Sequence, residues 1–289
     1  MKDSVAQNTL SIDGTVYDSI NSLPLAFANV YIKGKSIGTL TNSEGKFKLS
    51  ISVEAIGDTL ITSFVGFKPQ LQRIEGITMN LKILLSKMDS ELPVISVKDN
   101  TLEKAVIGEN VKKSESGICN CIKKNYQISR FFRDVQGRIG QLRKVLVYLN
   151  ERGDLNYPFR LRIYEVDKAN GLPGKDILDK SLVLIPKQNN WFEINLDSLN
   201  VVTPTNGFFI GYEWLYSNET IFYEKKQIEN GGEIDCFGQC LGLVIPKYDT
   251  YAVEKVEGSE WSDTNHFKNR KGKVYAPMIK VEVDFLSPK

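Results

Sequence analysis

Hydrophobic and polar residues alternate along most of this chain, and the alternation has period two. In ITMNLKILL, Ile77, Met79, Leu81, Ile83 and Leu85 fall on one face of an extended segment. Phe47, Leu49 and Ile51 make a second such face directly after Asn42-Ser43-Glu44-Gly45. Those four residues suit a tight reversal, so GTLTNSEGKFKLSI reads as a hairpin. SIDGTVYD, ANVYIKG and DTLITSFVGF read as further strands, and SINSLPLAF, with its proline, as a loop or a sheet edge. About seven short strands without an amphipathic helix predict a small antiparallel sandwich over residues 8–88.

The pattern then changes. Residues 89–125 are charged and poor in aromatics, which reads as a connector. Beyond it the alternation returns. Phe159, Leu161 and Ile163 share a face, as do Phe192, Ile194 and Leu196. In GFFIGYEWLY one side carries Phe208, Ile210, Tyr212, Trp214 and Tyr216, and the other carries Phe209, Gly211, Glu213 and Leu215. A strand apolar on both sides belongs in the middle of a sheet. In the last strand Ile279, Val281, Val283 and Phe285 oppose Lys280, Glu282 and Asp284. About eight strands with a two-sided central member predict a jelly-roll-like β-sandwich over 126–289, in an all-β chain.

The first segment resembles a known family. The G-x-V strand from Gly14, Pro24-Leu25, Ala28-Asn29-Val30, the turn Thr41-Asn42-x-Glu44-Gly45-x-Phe47 and the strand end Ser63-Phe64-Val65-Gly66-Phe67 look like the carboxypeptidase regulatory-like domain. The resemblance implies a seven-stranded transthyretin-like (prealbumin-like) β-sandwich with Val30, Phe47 and Leu49 in its core, and it implies no peptidase activity. LPVISVKD is similar to the exit from this module in TonB-dependent outer-membrane transporters. The residues that follow are too few for a transporter barrel and show another pattern. The run from YPFRLRIYEVD to GFFIGYEWL is similar, as a whole pattern, to a sandwich that accompanies the module in exported bacterial proteins of unassigned function, and it brings no catalytic residues with it.

Composition narrows the chemistry. Thirty-seven basic and 35 acidic residues give a formal charge of +2, with the two signs interleaved, so no field draws in nucleic acid or an anionic membrane. KNRKGK at 268–273 reads as a solvated turn. No window reaches the roughly 18 apolar residues of a membrane-spanning helix. Val5-Ala6-Gln7 looks like the end of a cleaved export signal, and the expected location is the periplasm or surface of a Gram-negative bacterium. Cys119, Cys121, Cys236 and Cys240 match no usual zinc spacing. They leave open a disulfide between the two halves or within Cys236–Cys240, free thiols, and a four-cysteine metal site, with structural bridges as the expectation.

Catalytic signatures are not found in the sequence. Its single histidine, His266, lies in a polar loop, and there is no phosphate loop, H-E-x-x-H or dinucleotide fingerprint, so neither a metal nor a cofactor is expected. Glu213 is the one acid whose setting could raise its pKa, unless an arginine pairs it. Binding needs less than turnover does. Tyr216 and Trp261, with Asn218, Asp263 and Asn265 to hydrogen-bond sugar hydroxyls, are the candidate ligand residues, while Trp191 and Trp214 are expected in the core. The expected function is that of a non-enzymatic envelope protein binding a glycan or a protein. A carbohydrate-active enzyme and an accessory subunit of a TonB-dependent uptake complex are the alternatives.

Overall fold

The computed structural model describes residues 9–76, 80–88, 102–122, 124–216, 224–227, 233–247 and 250–286. Ile77, Met79, the Val5-Ala6-Gln7 leader, LPVISVKD and Asn218 lie outside the described residues. The chain is all-β, with only two short 3-10 turns among the described residues.

The first unit holds β1 (Thr9–Asp18), β2 (Asn29–Ile32), β3 (Gly38–Leu40), β4 (Lys46–Ser52), β5 (Thr59–Ser63), β6 (Gln70–Arg73) and β7 (Leu81–Leu85). Two sheets, ordered β4-β1-β7 and β3-β2-β5-β6, face each other as a transthyretin-like sandwich. Strict alternation on β4 sends Phe47, Leu49 and Ile51 inward, where they meet Val30, Ile32 and Leu60 in one core. Each such fully buried side chain contributes about 1.5–3 kcal/mol. The expected hairpin turn is present: Asn42 Oδ1 accepts from the amides of Glu44 and Lys46, and Gly45 takes φ 72°. Two expectations need correction. The sheet is not wholly antiparallel, since β7 runs parallel to β1. The strand read through Phe67 stops at Ser63, because Gly66 at φ 80° turns the chain and the Phe67 amide bonds back to the Phe64 carbonyl.

The second unit is a broader double-sheet sandwich. Its strands are β8 (Leu102–Ile107), β9 (Ser116–Asn120), β10 (Tyr126–Phe132), β11 (Gly140–Gly153), β12 (Phe159–Val166), β13 (Pro173–Asp176), β14 (Leu182–Leu184), β15 (Asn190–Asn195), β16 (Val202–Thr203), β17 (Phe208–Trp214), β18 (Glu224–Gln227), β19 (Glu233–Val244), β20 (Ala252–Val256), β21 (Ser262–Asp263), β22 (Ala276–Pro277) and β23 (Ile279–Leu286). One sheet follows β13-β12-β17-β10-β20-β21, with β14 also on β12. The other follows β18-β19-β11-β23-β8, with β15 and β16 on β11 and β9 and β22 on β19. Strands of two to four residues are too short to show a period, which is why the sequence suggested fewer. β17 is central as expected, with β12 on one side and β10 on the other, and it is buried on both faces.

The stretch read as a connector is part of this sandwich. β8 pairs with β23, and β9 pairs with β19. Glu109, just past β8, makes a buried ion pair of 2.7 Å with Arg130, whose guanidinium also donates to the carbonyls of Pro277 and Ile279. Cys119 is bonded to Cys240 and Cys121 to Cys236, so two disulfides clamp β9 to β19. The segment's charges misled because Glu103, Lys104, Lys112, Lys113 and Glu115 are exposed while the backbone that carries them is paired into the sheet, and Glu109 is buried in its ion pair with Arg130.

The first unit sits on the outer face of the β12-β17-β10 sheet. The Arg160 guanidinium donates to the Phe27 carbonyl and lies 5.9 Å from the Phe64 ring centroid. A Cβ at Gly66 would land on the backbone carbonyl of Asp179, and one at Gly258 on that of Lys35. Both glycines have φ 80°, so backbone meets backbone at two separate points of the junction.

Candidate functional site

Alternation on β12 sends Phe159, Leu161 and Ile163 into the inter-sheet core and leaves Arg160, Arg162 and Tyr164 on the outer face. Register places Arg160 beside Glu213 and Arg162 beside Gly211. Gly211 matters because a side chain there would occupy the space of the Gln127 amide and the Ser129 hydroxyl. The result is a packed polar layer. Glu213 Oε2 lies 3.2 Å from Arg160 Nη1 and 3.1 Å from Arg162 Nη1. Arg162 Nε donates to Asp176 Oδ1 at 3.1 Å, and the Gln127 amide nitrogen lies 2.7 Å from the Tyr164 hydroxyl.

The electrostatics follow from this packing. Burial alone would push the Glu213 carboxyl upward, but the combined pull of Arg160 and Arg162 overcomes it and holds the group below its ordinary value. Glu213 is therefore an ion-paired carboxylate and not a protonated acid ready to donate. Glu257, nearby at the junction, behaves oppositely: burial, reinforced by the charge of Glu213, raises its carboxyl well above the ordinary range. Its Oε1 is buried without a hydrogen-bond partner.

Beside this layer, between the two units, lies a cleft of about 620 Å³. Phe64, Val65 and Phe67 of the first unit and Ile177 and Leu178 of the second line it, with Phe64 and Ile177 half-buried and the other three buried behind them. The Arg162–Asp176 pair forms part of its wall, and Lys87, Glu165, Lys175 and Asp179 add charged groups of both signs, all four side chains exposed.

The residues singled out from the sequence are not gathered into one site. Tyr216 is half-buried on the core side of its sheet, with its ring 5.4 Å from that of Phe237, and its amide donates to Asn125 Oδ1 at 2.6 Å. Trp261 lies on the opposite, outer side, half-buried and edge-on to Tyr164 at 5.7 Å, with Lys255 Nζ 5.6 Å from its ring. The two aromatics therefore cannot form one platform, because Tyr216 packs against the inter-sheet core and Trp261 against the cluster of Phe131, Tyr164 and Phe209 on the other side. Asp263 and Asn265 are exposed neighbours, Asp263 Oδ1 accepting from the Asn265 amide at 2.9 Å. Trp214 is buried in the core, while Trp191 is half-buried with its indole N–H on the Val111 carbonyl. His266 is exposed, 3.4 Å from Glu254. Among the described residues no group of three or more His, Cys, Asp or Glu is placed to hold a metal.

Sequence reasoning missed the cleft. Its signals were Arg162 on the outward side of β12 and the Ser63–Phe67 motif, which reads from the sequence as structural only.

Comparison with known proteins places the first unit. Residues 12–97 match a family model described as CarboxypepD_reg-like domain. The TonB-dependent receptor SusC of Bacteroides thetaiotaomicron is 38% identical over 68 residues, which are 24% of this chain and 6% of that receptor, so the likeness spans a small fraction of the relative's length. A putative membrane-associated protein of unknown function from Bacteroides fragilis aligns over 96% of this chain and 98% of its own, at 12% identity and a TM-score of 0.23. A carbohydrate-binding module of the β-sandwich superfamily aligns over 89% and 99%, at 9% identity and a TM-score of 0.21. At such scores neither overlay bears on the ligand of this chain. Residues 12–97 thus match the carboxypeptidase regulatory-like domain, and the described strands β1 to β7 form its transthyretin-like β-sandwich.

Proposed function

We propose that this chain is a non-enzymatic, exported component of a Gram-negative cell envelope that binds a glycan or a protein partner, with the regulatory-like domain as a fixed docking module. The observation that carries the reading is the domain it has in common with a TonB-dependent receptor, 38% identical over 68 residues. Two disulfides support export, since such bonds form and persist in oxidising compartments. The pairing of Glu213 with two arginines favours binding over hydrolysis, because the acid singled out for catalysis is neutralised by its neighbours.

Fractionation of cells producing the chain, followed by non-reducing electrophoresis and assays against glycan and peptide substrates, tests this. Recovery with the envelope, oxidised cysteines and no turnover are expected. A reduced cytoplasmic protein, or turnover abolished by Glu213→Gln, overturns the reading. The same receptor likeness favours a second version, in which the chain is an accessory subunit of a TonB-dependent uptake complex. Co-purification of such a receptor from envelope extracts is its test.

A further inference from the structure

The junction cleft has a size and a charge pattern that restrict what it can hold. We propose that it is a binding site for a short neutral oligosaccharide, a reading that rests on the envelope-binding function above and gives it a place and a ligand class.

Its volume of about 620 Å³ falls in the middle of the roughly 300–1,000 Å³ typical of enclosing small-ligand sites. Walls from both sandwiches flank it, which suits a narrow ligand better than the flat surface of a folded partner. A pyranose presents an apolar C–H face and a rim of hydroxyls, and the cleft presents the complement of both. Phe64 and Ile177, both half-buried, supply the accessible apolar surface, backed by the buried Phe67 and Leu178. Glu165, Lys175 and Asp179 supply exposed acceptors and a donor, and among the described residues none of these side chains makes an ion pair or hydrogen bond.

Charge decides the class of sugar. Lys87, Arg162 and Lys175 are matched in the same lining by Glu165, Asp176 and Asp179. Arg162, the one guanidinium present, is already held by Asp176 and Glu213. With three cations matched by three carboxylates the lining has no net positive charge to repay the desolvation of an anionic sugar, whereas neutral hydroxyls can use donors and acceptors of either sign. Because both units line the cleft, the site exists only while the regulatory-like domain is docked.

The test is an array of neutral and acidic oligosaccharides probed with the full chain, followed by calorimetry on any neutral trisaccharide retained, with trigalacturonate as the acidic counterpart. Selective retention of neutral glycans is expected, with Phe64→Ala raising Kd at least about tenfold. Phe64 also packs on the first core, so the rim pair Glu165→Gln with Lys175→Ala, both exposed, supplies a variant that leaves the fold intact and should weaken binding similarly. No neutral glycan retained, tighter binding of trigalacturonate, or affinity unchanged in the rim variant each overturns the assignment. Binding that ignores the rim variant removes the cleft but leaves the envelope function standing. Hydrolysis of the retained sugar or a cytoplasmic location would remove the function itself.

Discussion

Glu213 and Glu257 lie close together at the domain junction and have opposite pH signatures. Glu213 is held below its ordinary 4.5 by two arginines. Its contribution is therefore present above that pH and is lost as pH falls through its folded value. Removing it strands Arg160 and Arg162 in a buried layer, so Glu213→Ala should cost about 3–5 kcal/mol in urea unfolding, the range for breaking a buried pair from one side. Glu257 is raised instead. The folded chain then binds more protons than the unfolded one as pH rises past 4.5, and stability falls over that window. Glu257→Gln removes this dependence, so its melting temperature against pH should run flatter than that of the unaltered chain above pH 4.5. An unchanged slope would show that Glu257 is not the group responsible.

At the scale of elements, the segment 102–122 shows how a charged stretch becomes structural. β8 and β9 are ordinary strands whose partners lie more than a hundred residues away, and two disulfides fix the second of them to β19. The bridges span 121 and 115 residues, but they are not independent. Once one has closed, the other closes only a short ring between neighbouring strands. Loop-closure entropy then gives about 2–3 kcal/mol for either bridge removed alone and about 7 kcal/mol for both together. Chemical denaturation of Cys119→Ala/Cys240→Ala, of Cys121→Ala/Cys236→Ala and of the quadruple variant checks this, and simple additivity of the two pairs would contradict it.

For the whole molecule, the decisive feature is that the regulatory-like domain lies against the polar outer face of the second sandwich, where Arg160 meets the Phe27 carbonyl and Gly66 meets Asp179. Gly66→Ala places a Cβ against a backbone oxygen at a positive φ, so it should open the junction while each sandwich keeps its own core. Small-angle scattering should show a larger radius of gyration with far-ultraviolet circular dichroism unchanged, and a wild-type profile would mean that the contact does not hold the units together. The sequence by itself determined the strands of both cores: the period-two faces from Phe47 to Ile51 and from Ile279 to Phe285, the turn at Asn42–Gly45, the central place of the strand from Phe208 to Trp214, and the domain family of the first unit. All of these depend on contacts within a strand or a turn, whose spacing is written directly along the chain. Only the tertiary structure decided which cysteines pair, that Glu213 is neutralised by Arg160 and Arg162, that Tyr216 and Trp261 face apart, and that a cleft opens beside Phe64. Each of these depends on which residue from a distant strand stands opposite another, and an alternating pattern states which face a side chain takes without stating what covers that face.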